Sequence, residues 1–186
     1  AGCAGPAEVM RDQPFLDTPV IEPEPRDWAV ARLDIVVPET LTVSEANTIK
    51  PRADIVWRED APGDRHAQVQ TLFEQALTPV LSQLDGATRV IVQLELTRFH
   101  AVTERARYTI GGEHEIEFLM TVFDAETGQS MTGRRPVDLT FRAYGGQQAI
   151  EAEAEGITQR VRIMSRLQQW ALAEFPRPAS SLLQAN

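Results

Sequence analysis

Between Arg89 and Tyr144 the chain alternates apolar and polar residues with a period of two, and little else in it constrains the fold as strongly. Val90, Val92, Leu94 and Leu96 alternate with Ile91, Gln93, Glu95 and Thr97. Tyr108, Ile110, His114, Ile116, Phe118, Met120 and Val122 follow, with Glu113, Glu115 and Glu117 between them, and Val137, Leu139, Phe141 and Ala143 close the series. Such alternation places one face of a strand in the core and the other in water, so the stretch predicts an antiparallel three-stranded meander. The first hairpin is expected to pair Val92 with His114 and Leu96 with Ile110 around a loop near Val102–Glu104. Gly111-Gly112 predicts a bulge or a sharp bend in the second strand. The second hairpin is expected to turn at Glu126-Thr127-Gly128-Gln129. Buried parity changes there from even to odd, which requires an even loop or a bulge.

Helical periodicity brackets the meander. Val69, Leu72, Phe73, Ala76, Leu77, Val80, Leu81 and Leu84 recur at spacings of three and one, an apolar stripe. Asp64 is its expected N-cap, Gly86 its stop, and Pro79 a kink. After Tyr144-Gly145-Gly146 a second helix is expected to reach Phe175, with Ile150, Ala154, Ile157, Val161, Met164, Leu167 and Ala171 on its buried side. Trp28–Val37 reads as a strand, and Asp54-Ile55-Val56-Trp57 as a short extended piece. The expected fold class is α+β: an antiparallel sheet of about four strands, in β-α-β-β-β-α order, with two helices packed on one face. The expected division is 1–3 and 4–27 as leader remnant and tether, 28–176 as a single domain, and 177–186 as a loose tail.

Only 18 basic residues stand against 27 acidic ones, for a formal charge of -9. No basic cluster interleaved with aromatics occurs, so nucleic acid is excluded as an expected partner. Cys3 is the single cysteine, which rules out an internal disulfide and a cysteine-based zinc site. It follows two small residues, and Ala1-Gly2-Cys3 resembles the tail of a bacterial lipobox, in which the cysteine becomes the acylated mature N-terminus. Residues 4–27 carry Pro6, Pro14, Pro19, Pro23 and Pro25, a density that suits an extended, semi-rigid tether. With Ala4 after the cysteine, the expected location is the periplasmic face of the outer membrane, lipid-anchored.

Candidate chemistry is sparse. His66, His100 and His114 lack the mutual spacing of a metal site, and His114 falls on the apolar side of its strand. Glu113, Glu115 and Glu117 share one strand face about 7 Å apart. A hard cation needs converging oxygens, so pairing with Arg98, Arg134 or Arg142 is the expected arrangement and no metal is expected. Ser44, Ser82, Ser130 and Ser165 lack a nucleophile-elbow context, and the glycine doublets are not a phosphate loop. No catalytic residue and no cofactor is expected. Arg105, Arg107 and Tyr108, at the expected hairpin end, form a polar rim suited to a protein partner.

The lipobox-like start and the tether, followed by Ala53-Asp54-Ile55-Val56-Trp57, Pro62-Gly63-Asp64-Arg65, Arg98-Phe99-His100, Arg107-Tyr108 and Gly111-Gly112, resemble an uncharacterised family of bacterial envelope lipoproteins. The element order is also similar to small periplasmic accessory lipoproteins, such as activators of cell-wall synthases or auxiliaries of transport complexes. The resemblance implies location and fold. The expectation for function is a non-enzymatic, membrane-anchored lipoprotein that binds an envelope partner. The alternatives are a lipid- or small-molecule-binding module between sheet and helices, and a hydrolase with an unrecognised site.

Overall fold

The computed structural model describes residues 26–177. Cys3, nearly all of the tether and the tail beyond residue 177 lie outside the described residues. In chain order the elements are β1 (Trp28–Val36), β2 (Ile55–Val56), α1 (Arg65–Leu81), β3 (Thr88–His100), α2 (Glu104–Arg107), β4 (Gly112–Asp124), β5 (Arg135–Asp138), β6 (Phe141–Ala143), α3 (Gln147–Ala154) and α4 (Gln159–Glu174).

The sheet has six strands and is partly parallel, which corrects the expected four antiparallel ones. The long strands β3 and β4 pair antiparallel at its centre. On the other edge of β3 lie β1 and then β2, both parallel to it, with Trp28 opposite Thr88 and Ile55 opposite Phe99. The reason is the connection: α1 carries the chain back past the sheet before β3 begins, and a crossover of that length sets the flanking strands parallel. On the far edge of β4, β5 and β6 keep one register, with Phe118 opposite Val137 and His114 opposite Phe141. Leu139 N donates to Ile116 O at 2.9 Å between them. The six strands therefore occupy four lanes.

Two of the expected registers come out differently from one another. In the first hairpin Val92 faces Val122, not His114, and Leu96 faces Phe118, not Ile110. The ladder slips by one residue between Leu96 and Arg98, so the bulge lies there, while at Gly111, just before β4, the backbone takes φ +73°, a bend and not a bulge. The longer ladder takes the chain to His100. The connection then folds into α2, where Thr103 Oγ1 accepts from Ala106 N at 3.2 Å, and the alternation of Tyr108 and Ile110 belongs to no strand. The second turn falls where expected: Asp124 Oδ1 accepts from the amides of Glu126 (2.9 Å) and Thr127 (2.7 Å), and Gly128 takes φ +71°. Its even length switches buried parity, so Phe118 faces Val137.

Asp64 caps α1 as expected, its Oδ1 accepting from Ala67 N at 3.1 Å. Val69, Leu72, Phe73, Ala76, Leu77 and Leu81 are buried, while Val80 and Leu84 pack at the margin. The helix runs through Pro79 and ends at Ser82, before Gly86. Gly86 has another role: a Cβ there would lie 2.2 Å from the Asp27 carbonyl carbon, so only glycine permits the close approach of the chain to β1. The expected second helix is two helices, α3 and α4, broken where Gly156 takes φ +78° and Thr158 caps α4. One period extended through that break loses phase. Ile150, Ile157 and Val161 are exposed, and Ala149, Ala152, Ile163, Leu167 and Ala171 are the buried positions.

α1 and α4 cover the sheet face that carries Val90, Val92, Leu94, Ile116, Phe118 and Met120, and these side chains form one core. Ring contacts run through it in series: Trp57–Phe99 (5.7 Å), Phe99–Phe73 (6.1 Å), Phe73–Phe118 (5.8 Å), Phe118–Trp170 (5.0 Å), Trp170–Phe175 (6.1 Å) and Phe175–Trp28 (6.2 Å). Most are edge-to-face, the geometry aromatic quadrupoles favour. No helix among the described residues is long and apolar enough to cross a membrane.

Candidate functional site

α2 turns its three rim residues in different directions. Arg105 is exposed, and its backbone amide donates to Asn47 Oδ1 at 2.8 Å. Arg107 points inward, with Nε 3.0 Å from Glu153 Oε1 on α3 and Nη1 4.0 Å from Glu59 Oε2. Tyr108 OH donates to the other oxygen of Glu153 at 2.9 Å. That bond foremost, and burial next, push the phenol pKa up. Arg107 is therefore a wall residue, and only Arg105 and Tyr108 remain on the rim.

Behind Arg107 lies a narrow recess with free space for about one water molecule at its centre. Its polar wall is Arg107, His114 from β4, Tyr144, Glu153, and Gln159 and Arg162 from the first turn of α4; Val102, Ala149 and Ile157 supply the apolar part. Among the described residues, four buried side-chain atoms lack a hydrogen-bond partner: Arg107 Nε, His114 Nδ1, Glu153 Oε1 and Gln159 Oε1. All four belong to this wall. Buried polar atoms without partners are rare in folded proteins, so their convergence marks the recess out. Arg107 Nε and Glu153 Oε1 face one another in an ion pair too bent to be a hydrogen bond. His114 Nδ1 and Gln159 Oε1 have no such contact.

The recess is electropositive. His114 is 1% exposed, and its ring lies 4.9 Å from that of Phe141. Burial foremost, then the charges of Arg162 and Arg107, pull its pKa down to about 3, so the imidazole is neutral. Arg162 stacks 3.6 Å over the Tyr144 ring and donates Nη2–H to Arg142 O at 2.9 Å. Among the described residues no carboxylate lies within ion-pair distance of it, and burial lowers its pKa from the ordinary arginine value.

The acidic strand face follows the arginine-paired expectation in part. Burial works against ionisation of Glu115, but hydrogen bonds from Lys50 and from Arg98 (2.5 Å) outweigh it and hold its pKa below the usual carboxylate value. Arg142 sits opposite Glu113 in the ladder, and Arg134 pairs instead with Glu95. Neither Glu113 nor Glu115 reaches His114, which faces the core side of β4. His100 is buried with its ring nitrogen 2.9 Å from Pro51 O, and His66, partly buried, lies 3.1 Å from Leu41 O. No group of acidic, histidine or cysteine side chains among the described residues could hold a metal ion.

The segments that carried the family resemblance are joints of the fold. Asp54 Oδ2 accepts from Thr42 N and Oγ1, Trp57 Nε1 donates to Asp60 Oδ2 at 2.6 Å, and Arg98 Nη1 donates to Ala53 O at 3.2 Å. Gly111 and Gly145 touch so closely that a Cβ on Gly145 would lie 2.2 Å from Gly111 N.

Sequence reasoning reached Arg107 and Tyr108 and noted the buried parity of His114, but missed Tyr144, Glu153, Gln159 and Arg162 as a group. They come from separate elements, and no spacing in the chain announces their meeting. No curated protein matches the chain. Among solved structures it is similar to an uncharacterized protein, with 15% identity over 78% of this chain and 93% of that one and a TM-score of 0.33. It is also similar to a "putative lipoprotein" from Caulobacter crescentus CB15, with 15% identity over 79% and 93% and a TM-score of 0.28. Residues 28–185, which take in every element from β1 to α4, match the family of unknown function DUF6778, and the chain belongs to that family.

Proposed function

We propose that the protein is a non-enzymatic accessory lipoprotein of the bacterial envelope, acylated at Cys3 and held at the periplasmic face of the outer membrane, that binds a protein partner through the α2–α3 end of its domain. Ala1-Gly2-Cys3 and the proline-rich tether support the anchor. The observation that carries the partner role is the apolar surface at that end. Ile110 is 74% exposed, and Tyr108, Ile150, Ile157 and Val161 are exposed large apolar side chains on the neighbouring loop and helices. Loop and helix are tied together there, since Gly146 N donates to Arg107 O at 2.8 Å and Tyr108 reaches Glu153. Exposed apolar side chains on a loop and helices that are tied together suit a site that a partner covers, and a tyrosine beside an arginine is a frequent energetic centre of such contacts.

Capture from membranes with the lipidated protein tests this reading. Ile110→Asp combined with Arg105→Glu should remove the captured partner while thermal unfolding stays unchanged. Retention of the same partner by that folded variant would show that the contact lies elsewhere.

A further inference from the structure

We propose that the recess between β4, α2, α3 and α4 is a binding site for a small carboxylate, held by Arg162, His114 and Gln159. The site adjoins the apolar surface, with Ile157 common to both, but does not depend on the partner reading.

Three observations converge on it. Arg162 carries a positive charge into the wall of the recess, and among the described residues no carboxylate answers it. Its guanidinium is held in place by the Tyr144 ring at 3.6 Å and by Arg142 O at 2.9 Å, so it is fixed before any ligand arrives. An arginine fork of this kind suits a planar anion with two oxygens. His114 (1% exposed) and Gln159 (5% exposed) each bring a buried polar atom with no partner to the same wall. Leaving such atoms unpaired costs about 1–3 kcal/mol apiece, a cost a ligand would relieve. Neutral His114 can place its ring proton on Nδ1, and half a turn of the Gln159 amide exchanges Oε1 for the donor Nε2. Both then donate toward an oxygen that accepts.

Charge and size define the ligand. Arg107 is neutralised by Glu153 at 3.0 Å, with Glu59 beyond it, which leaves Arg162 as the unmatched charge and a single negative charge as its complement. The free space at the centre is about one water molecule's worth, room for a single ligand oxygen, and the one unmatched charge favours a carboxylate over a doubly charged phosphate. A carboxylate enters edge-on, with its substituent directed past Ile157. α3 covers the recess between two positive-φ glycines, Gly146 at +57° and Gly156 at +78°, and these are the positions at which that cover can pivot.

Sodium acetate is the probe, titrated into the purified protein at constant ionic strength with sodium chloride as the balance. The readout is the ring ¹⁵N and ¹H shifts of His114, assigned with His114→Gln. Acetate should give a saturable shift that chloride does not, and Arg162→Gln should weaken it at least about tenfold, one ion pair's worth. Arg32→Gln, an exposed arginine on β1 away from the recess, should leave it unchanged. The absence of saturation to about 0.1 M acetate, or an equal response to chloride, would reduce the recess to a hydrated cavity that takes an adventitious ion only. Gln159→Glu gives a second arm that survives a poorly folding Arg162 variant. A tethered carboxylate should be accepted in the recess, with the unfolding midpoint unchanged or raised, and should abolish the acetate response. A large fall in midpoint, as for any unpaired buried charge, would overturn the proposal.

Discussion

Arg65 holds Glu45 through two hydrogen bonds, Nε to Oε1 at 2.7 Å and Nη2 to Oε2 at 2.9 Å, across twenty residues of chain. Arg65 is 4% exposed, and its Nη1 also donates to Gln68 Oε1 at 2.6 Å and to the carbonyls of Asp60 and Ala61 at 3.2 Å. One guanidinium thus fastens the loop after β1 to the entry of α1. Arg65→Ala should cost about 2–4 kcal/mol, since several charge-assisted bonds are lost together. Glu45→Gln should cost only about 1 kcal/mol, because that carboxylate is half exposed and water replaces much of the contact. Urea unfolding of both variants measures the two losses; equal, small losses would show the joint to be ornamental.

Leu77 is fully buried in α1 and belongs to the same core as Leu94, Ile116 and Leu139, the sheet positions that parity alone assigns to it. Leu77→Ala should cost ~2–5 kcal/mol through lost transfer energy and the cavity left behind. A loss under ~0.5 kcal/mol by denaturant titration would mean that the helix is peripheral.

His114 should make stability depend on pH in a defined direction. Its folded pKa is depressed to about 3 from 6.5, by burial first and then by Arg162 and Arg107. The unfolded chain therefore binds the proton first as pH falls. The residue's contribution is complete above about pH 6.5 and is lost between there and about pH 3, at up to ~1.4 kcal/mol per pH unit. Glu153 faces the same recess and is carried unchanged through the comparison. Between about pH 7 and pH 4 the wild type should lose more stability than His114→Gln; parallel curves would show that the folded imidazole protonates freely.

Cys3 should carry a diacylglyceryl group in protein taken from its own cells. The expectation rests on the small-small-cysteine start and the proline tether, and two or more chains are what stable anchoring requires. Mass spectrometry of the N-terminal peptide decides it, and an unmodified thiol would remove the anchor from the proposed function.

Periodicity in the sequence determined the sheet-facing residues of β3 and β4, the stripe of α1 and its Asp64 cap, and the even turn at Glu126–Gln129. Each is a local relation: side-chain direction repeats every two residues in a strand and every 3.6 in a helix, so one stretch of chain encodes it. Pairing between distant stretches is not local. The parallel seating of β1 and β2 on β3, the slip at Thr97 and the placing of Tyr108 and Ile110 outside any strand followed from how long ladders align and how α1 returns the chain. The α3–α4 break lost its phase at Gly156, where one φ angle redirects every later side chain. The recess lay furthest from the sequence. Arg107, His114, Glu153, Gln159 and Arg162 meet only when four elements pack, and what singles them out, unpaired atoms and an unmatched charge, is a property of burial that no residue carries alone.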